Sequence, residues 1–179
     1  MRQSQALPTL REWDKRGRYV FQRAALAKLF AGDSEKTFSE GLNRLVKSGL
    51  LVRAARGVYV NPHAHSLDSR TIERIAQALR PGEYSYVSLE SMLSEYGEIS
   101  QIPIDRLTVM TTGRKGVYRT PYGTIEFTHT ARPVAEILGN IKQVEGRPLR
   151  IASREVAWRD LKRVGRNVGM VALRAANDE

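Results

Sequence analysis

Thr37-Phe38-Ser39-Glu40-Gly41-Leu42-Asn43-Arg44-Leu45-Val46-Lys47-Ser48-Gly49, continued by Leu50-Leu51-Val52-Arg53-Ala54-Ala55-Arg56-Gly57-Val58-Tyr59-Val60, decides the fold of this chain. Thr37 and Glu40 fit a capping box, in which Thr37 accepts from the backbone and Glu40 reaches back; Ser34 offers an earlier start. Phe38, Leu42, Leu45 and Val46 fall at i, i+4, i+7 and i+8, a single apolar stripe, and Ser48-Gly49 closes the helix. Its other face carries Lys36, Ser39, Glu40, Asn43 and Lys47, with Arg44 on a flank. Amides, hydroxyls and cations in this mixture suit base edges and phosphates. An ordinary solvated helix face would look the same in isolation, so the next segment decides. Leu50–Arg53 and Gly57–Val60 read as two strands around Ala54-Ala55-Arg56, with Gly57 at the turn. A helix pair followed by a tight basic hairpin is the order of a winged helix-turn-helix. There the helix enters the major groove, while Arg53 and Arg56 on the wing meet phosphates or the minor groove.

Upstream, Leu7, Leu10 and Trp13 recur at helical spacing and predict a helix over about Pro8–Arg16. Tyr19–Phe21 reads as a brief strand. Ala25, Leu26, Leu29 and Phe30 form the stripe of a short second helix that stops at Gly32. Residues 1–62 are therefore expected to be a winged helix-turn-helix DNA-binding domain, and 63–69 a linker. Residues 70–179 are expected to form a mixed α/β domain, making the chain α+β. In that second domain, Ile72, Ile75, Ala76 and Leu79 mark a helix ended by Pro81-Gly82. Tyr84–Val87 reads as a strand, and Ser88 as the cap of a helix burying Leu89, Met92, Leu93 and Tyr96. After a bend at Ile102-Pro103, Leu107–Thr112, Val117–Thr120 and Thr124–Thr130 predict an antiparallel β-meander, with turns at Gly113–Gly116 and Pro121–Gly123. Leu149–Ile151 resembles a further strand. Ser153 opens a last helix with Val156, Ala157, Leu161 and Val164 inside, and Ala175–Glu179 is expected to fray.

Charge follows the same division. The net charge is +10, of which residues 1–62 carry +7, residues 63–140 carry −1 and residues 141–179 carry +4. A basic front attracts polyanions, although an arginine-rich soluble protein would share the total. With no cysteine, disulfide stapling and cysteine-ligated zinc are excluded. The start lacks the apolar run of a signal peptide, and no stretch approaches the roughly 20 apolar residues of a membrane span. The expected location is the cytoplasm.

Catalytic chemistry finds little support. His63, His65 and His129 have no accompanying carboxylate pattern, so a metal site is not expected. Asp105 and Glu126 lie near predicted strands, as nuclease carboxylates do. Glu126 is followed by Phe127-Thr128 rather than x-Lys, and both acids read as strand-edge charges. Gly113-Arg114-Lys115-Gly116 is too short for a phosphate-cradling loop, though its cations can touch an anion. Tyr84, Tyr86, Tyr118 and Tyr122 are better explained by packing than by base stacking. No catalytic residue, cofactor or metal is expected. The DNA-binding candidates are Lys36, Ser39, Asn43, Arg44, Lys47, Arg53 and Arg56.

The segment Leu42–Leu51, running on to Arg56-Gly57-Val58-Tyr59-Val60-Asn61-Pro62, resembles the N-terminal module of AbiEi-type antitoxins of type IV toxin–antitoxin and abortive-infection systems. Tyr86–Leu93, Thr108–Arg114, Gly123–Phe127 and Ile151–Ala157 resemble parts of that family's second domain. The resemblance implies an autorepressor that binds double-stranded DNA at inverted repeats in its own promoter. It further implies an antitoxin countering a co-encoded nucleotidyltransferase-like toxin, with no stable complex required. Two other readings stay open. One is a stand-alone regulator whose second domain senses a ligand or mediates assembly. The other is a nucleic-acid-processing enzyme.

Overall fold

Phe38, Leu42 and Leu45 are each 3 % exposed or less, so the apolar stripe of the third helix is the floor of the first core. In a computed structural model that describes residues 2–99 and 105–165, the chain divides after Leu79 into two compact units. The first runs α1 (Gln3–Lys15), β1 (Val20–Gln22), α2 (Arg23–Leu29), α3 (Glu35–Lys47), β2 (Val52–Ala55), β3 (Val58–Val60) and α4 (Thr71–Leu79). β3 is buried at all three positions and takes the middle of an antiparallel sheet ordered β1-β3-β2. Ala6 and Leu10 of α1, Phe21, Leu26 of α2, the α3 stripe, Leu51 and Tyr59 form one cluster. Truncating one such leucine to alanine costs about 2–5 kcal/mol, a large part of a domain's ~5–15 kcal/mol.

One helix start resolves the open choice between Ser34 and Thr37, and another differs from the expectation. α3 begins at Glu35, because Ser34 is the N-cap and its Oγ accepts from the Thr37 N–H at 3.2 Å. α1 begins at Gln3, well before Pro8, and Ala6 in its first turns is fully buried. The segment 63–69, expected as a linker, is bound into the first unit. Asp14 accepts from the His65 N–H (2.8 Å), the Ser66 N–H (3.0 Å) and the Ser66 hydroxyl (2.6 Å). The buried Tyr19 donates its hydroxyl to Asp68 at 3.0 Å and shares a contact with Thr71 at 3.0 Å, which moors α4. The division therefore lies at 79/80 rather than in 63–69.

The second unit runs β4 (Ser85–Val87), α5 (Leu89–Glu95), β5 (Arg106–Thr111), β6 (Gly116–Thr120), β7 (Gly123–His129), α6 (Val134–Gly139), β8 (Ile141–Lys142), β9 (Arg150–Ala152) and α7 (Arg154–Val164). Its sheet is ordered β6-β7-β5-β4-β9-β8. The chain is thus α+β, with seven helices among the described residues.

The expected antiparallel meander is corrected. β7 lies between β5 and β6, parallel to β5 and antiparallel to β6. β5 is buried at five of six positions and so needs a neighbour on each edge, which β4 and β7 supply. The half-exposed β6 is left at the rim. Gly113–Gly116 is consequently a crossing over the end of β7 and no hairpin turn. Arg80 pins it by donating to the Arg114 carbonyl through Nε (3.0 Å) and Nη2 (2.7 Å).

Ser88 precedes α5 as expected but does not cap it. Its hydroxyl donates instead to Asp160 of α7 at 2.8 Å, beside Tyr86 (3.1 Å) and Arg132 (2.8 Å). This fully buried carboxylate is thereby paired and hydrogen-bonded, as burial of a charge requires. Ser153 does cap α7, accepting from the Val156 N–H at 3.3 Å. The bend at Ile102-Pro103 and the frayed end at 175–179 lie outside the described residues.

Candidate nucleic-acid interface

With Phe38, Leu42 and Leu45 turned inward, helical periodicity dictates what α3 turns outward. Lys36, Glu40, Asn43, Arg44 and Lys47, at i, i+4, i+7, i+8 and i+11, are all exposed and share one face. From Lys36 to Lys47 this face runs about 16 Å along the helix axis. α3 leads into the hairpin through Ser48 and Gly49, whose φ of +73° few other residues adopt cheaply.

β2 and β3 then pair, with a register shift between Arg53 and Ala55. Such a bulge bends and twists its strand, which sets the direction of the exposed Arg53. Arg56 and Gly57 make the turn, and Gly57 has φ +79°. Arg56 therefore sits in the exposed turn of the hairpin, and Arg53 is exposed within β2, opposite Tyr59. Lys36, Lys47, Arg53 and Arg56 carry no ion pair among the described residues, so their charge is available to an anion.

Ser39 stands apart from the other six candidates. It is half-buried, its hydroxyl accepts from Arg23 Nη2 at 2.8 Å, and it lies 3.4 Å from Glu35. Arg23, the first residue of α2, also pairs with Glu35 and lies 5.1 Å over the Phe38 ring. An ion pair this exposed contributes at most about 1 kcal/mol. Its effect is geometric: it fixes the start of α2 against the start of α3. Nothing in the sequence pattern singles out Arg23, because it sits outside the apolar stripe of α2 and its partners lie on another helix.

The remaining candidates are dispersed. Among the described residues, no group of three His, Asp or Glu is placed to hold a metal ion. His63 Nε2 contacts the Gly49 carbonyl at 3.1 Å, and His129 Nδ1 contacts that of Gly113 at 2.9 Å. Glu126 accepts from Arg106 at 3.0 Å. Tyr86 is buried, Tyr118 packs edge-on against Phe127, and Tyr84 is exposed. No described helix is long and apolar enough to cross a membrane.

Residues 8–62 match the family model of a transcriptional regulator, the AbiEi antitoxin. The matched span runs from within α1 to just past β3 and so contains α3 and the basic hairpin whole. Among curated proteins, none matches the chain.

Proposed function

We propose, from a front segment of the AbiEi-antitoxin type, that the chain is a DNA-binding transcriptional autorepressor and the antitoxin of a type IV toxin–antitoxin system. The observation that carries this reading is the succession of a capped α3, exposing Lys36, Asn43, Arg44 and Lys47 on one face, and a hairpin with Arg53 exposed on its first strand and Arg56 in its turn. Read as a winged helix-turn-helix, α3 lies in the major groove. Asn43 there suits adenine, donating and accepting together, and Lys47 suits guanine or a phosphate. The wing arginines neutralise phosphates and fix register without reading sequence. The concentration of +7 in residues 1–62 supports the same assignment.

Inverted repeats in its own promoter are the target, and the second unit acts against a co-encoded nucleotidyltransferase-like toxin in the cytoplasm. Both halves are tested together in cells carrying a promoter fusion and the neighbouring reading frame. The full chain represses the fusion and restores growth. Absence of repression removes the regulator; absence of rescue, with repression intact, removes the antitoxin.

A further inference from the structure

A recess of about 400 Å³ opens on the first unit between the end of α1, β1 and the outer side of α2. Trp13, Phe21, Ala25 and Leu29 give it apolar walls, and Arg18 and Lys28 stand in its lining. None of the seven DNA-binding candidates lines it, so it is a separate surface of the same unit.

Its charge is one-sided. Glu12, the exposed acid on the adjoining helix, is taken by Arg16 (3.1 Å) and Lys15 (3.8 Å). Asp14 is taken by Ser66 and His65. Arg18 and Lys28 are left with no carboxylate partner among the described residues. Arg18 is also held in place, its guanidinium 5.1 Å from the Trp13 ring centroid. A stacked guanidinium keeps its N–H edge presented and loses little freedom on meeting a carboxylate through two hydrogen bonds. Gln22 adds an acceptor, because its Nε2 is spent on the Ala78 carbonyl at 2.8 Å and its Oε1 remains.

Volume selects among anions. Roughly 300–1,000 Å³ with mostly apolar walls and a few placed polar groups is the form of a small-molecule site. An inorganic anion would leave the apolar walls wet, and an uncharged apolar ligand would leave two cations unanswered. We infer that this recess is a binding site for a small aromatic carboxylate, its ring against Trp13, Ala25 and Leu29 and its carboxylate on Arg18 and Lys28.

The test uses the full chain and two probes of one shape, indole-3-acetate and its uncharged amide. Binding is followed by the NMR signals of the Trp13 indole N–H and the Ala25 and Leu29 amides. Trp158→Phe assigns the indole signal, since the chain has two tryptophans. Expected is saturable binding of the acid with a dissociation constant of about 1 mM or tighter. The amide should bind at least about tenfold more weakly, and Arg18→Gln should weaken the acid by a similar factor. Arg18→Gln must keep the remaining amide spectrum, which shows that the unit is folded; Lys28→Gln, on an exposed position of α2, is the second variant and weakens the acid severalfold. No saturable shift, equal binding of acid and amide, or full affinity in both variants would overturn the site.

Discussion

Asn43 and Arg56 are both exposed, and they should fail in opposite ways. Asn43→Ala removes a bidentate partner for adenine, so it should lose about 1–3 kcal/mol on the operator and almost nothing on random duplex. Arg56→Ala removes a phosphate contact, so both duplexes should weaken alike and the salt slope should fall by about 0.9. A salt-titrated mobility-shift series on the two variants separates these outcomes. An unchanged slope takes Arg56 out of the interface, and equal losses for Asn43→Ala make Asn43 a positioning residue. The chemistry of six exposed candidates is legible from residue type and helical phase. The engagement of Ser39 is not, because Arg23 reaches it from another helix and leaves no periodic mark.

Elements were legible wherever one local signal governed them. The α3 stripe and the Gly57 turn both read directly from sequence. The cap did not, since Ser34 and Thr37 carry the same chemistry three residues apart and only the backbone chooses between them. Ser34→Ala should therefore cost about 1 kcal/mol and Thr37→Ala clearly less, measured by chemical denaturation. The reverse order would restore Thr37 as the cap. The 63–69 segment, polar enough to read as a linker, is instead fastened by Asp14. The Ser66 hydroxyl, helped by the Ser66 and His65 N–H groups and opposed by burial, holds the Asp14 carboxyl below its ordinary value. A depressed carboxyl pKa gives stability that is present above the unfolded pKa of about 4 and lost as pH falls through the folded value. The denaturation midpoint of the native chain should fall between pH 5 and about pH 3 by more than that of Asp14→Asn. Parallel declines would show that Asp14 contributes nothing to acid sensitivity.

At the scale of the molecule, strand existence was legible and strand order was not. Alternation and turn residues located β5, β6 and β7, yet the short Gly113–Gly116 segment read as a hairpin. What places β7 beside β5 is the demand of a strand buried on both faces for two neighbours, a non-local condition. The same holds for the unit boundary, which depends on Tyr19 and Asp14 reaching across about fifty positions of sequence. The basic α3-and-hairpin surface, by contrast, is built from contiguous sequence, and there sequence and structure agree on six of the seven residues as exposed.

That surface can be tested in one binding titration of the full chain, at several salt concentrations. The duplexes are the promoter upstream of its own gene and a shuffled duplex of equal composition, and the second protein is a Lys36→Gln, Asn43→Ala, Lys47→Gln, Arg56→Ala variant verified as folded. The native chain should prefer the promoter by about 10³-fold or more, and the variant should lose that preference together with most of its salt dependence. Equal affinity for both duplexes, or a folded variant that still selects the promoter, would contradict the assignment of α3 and its hairpin as the DNA reader.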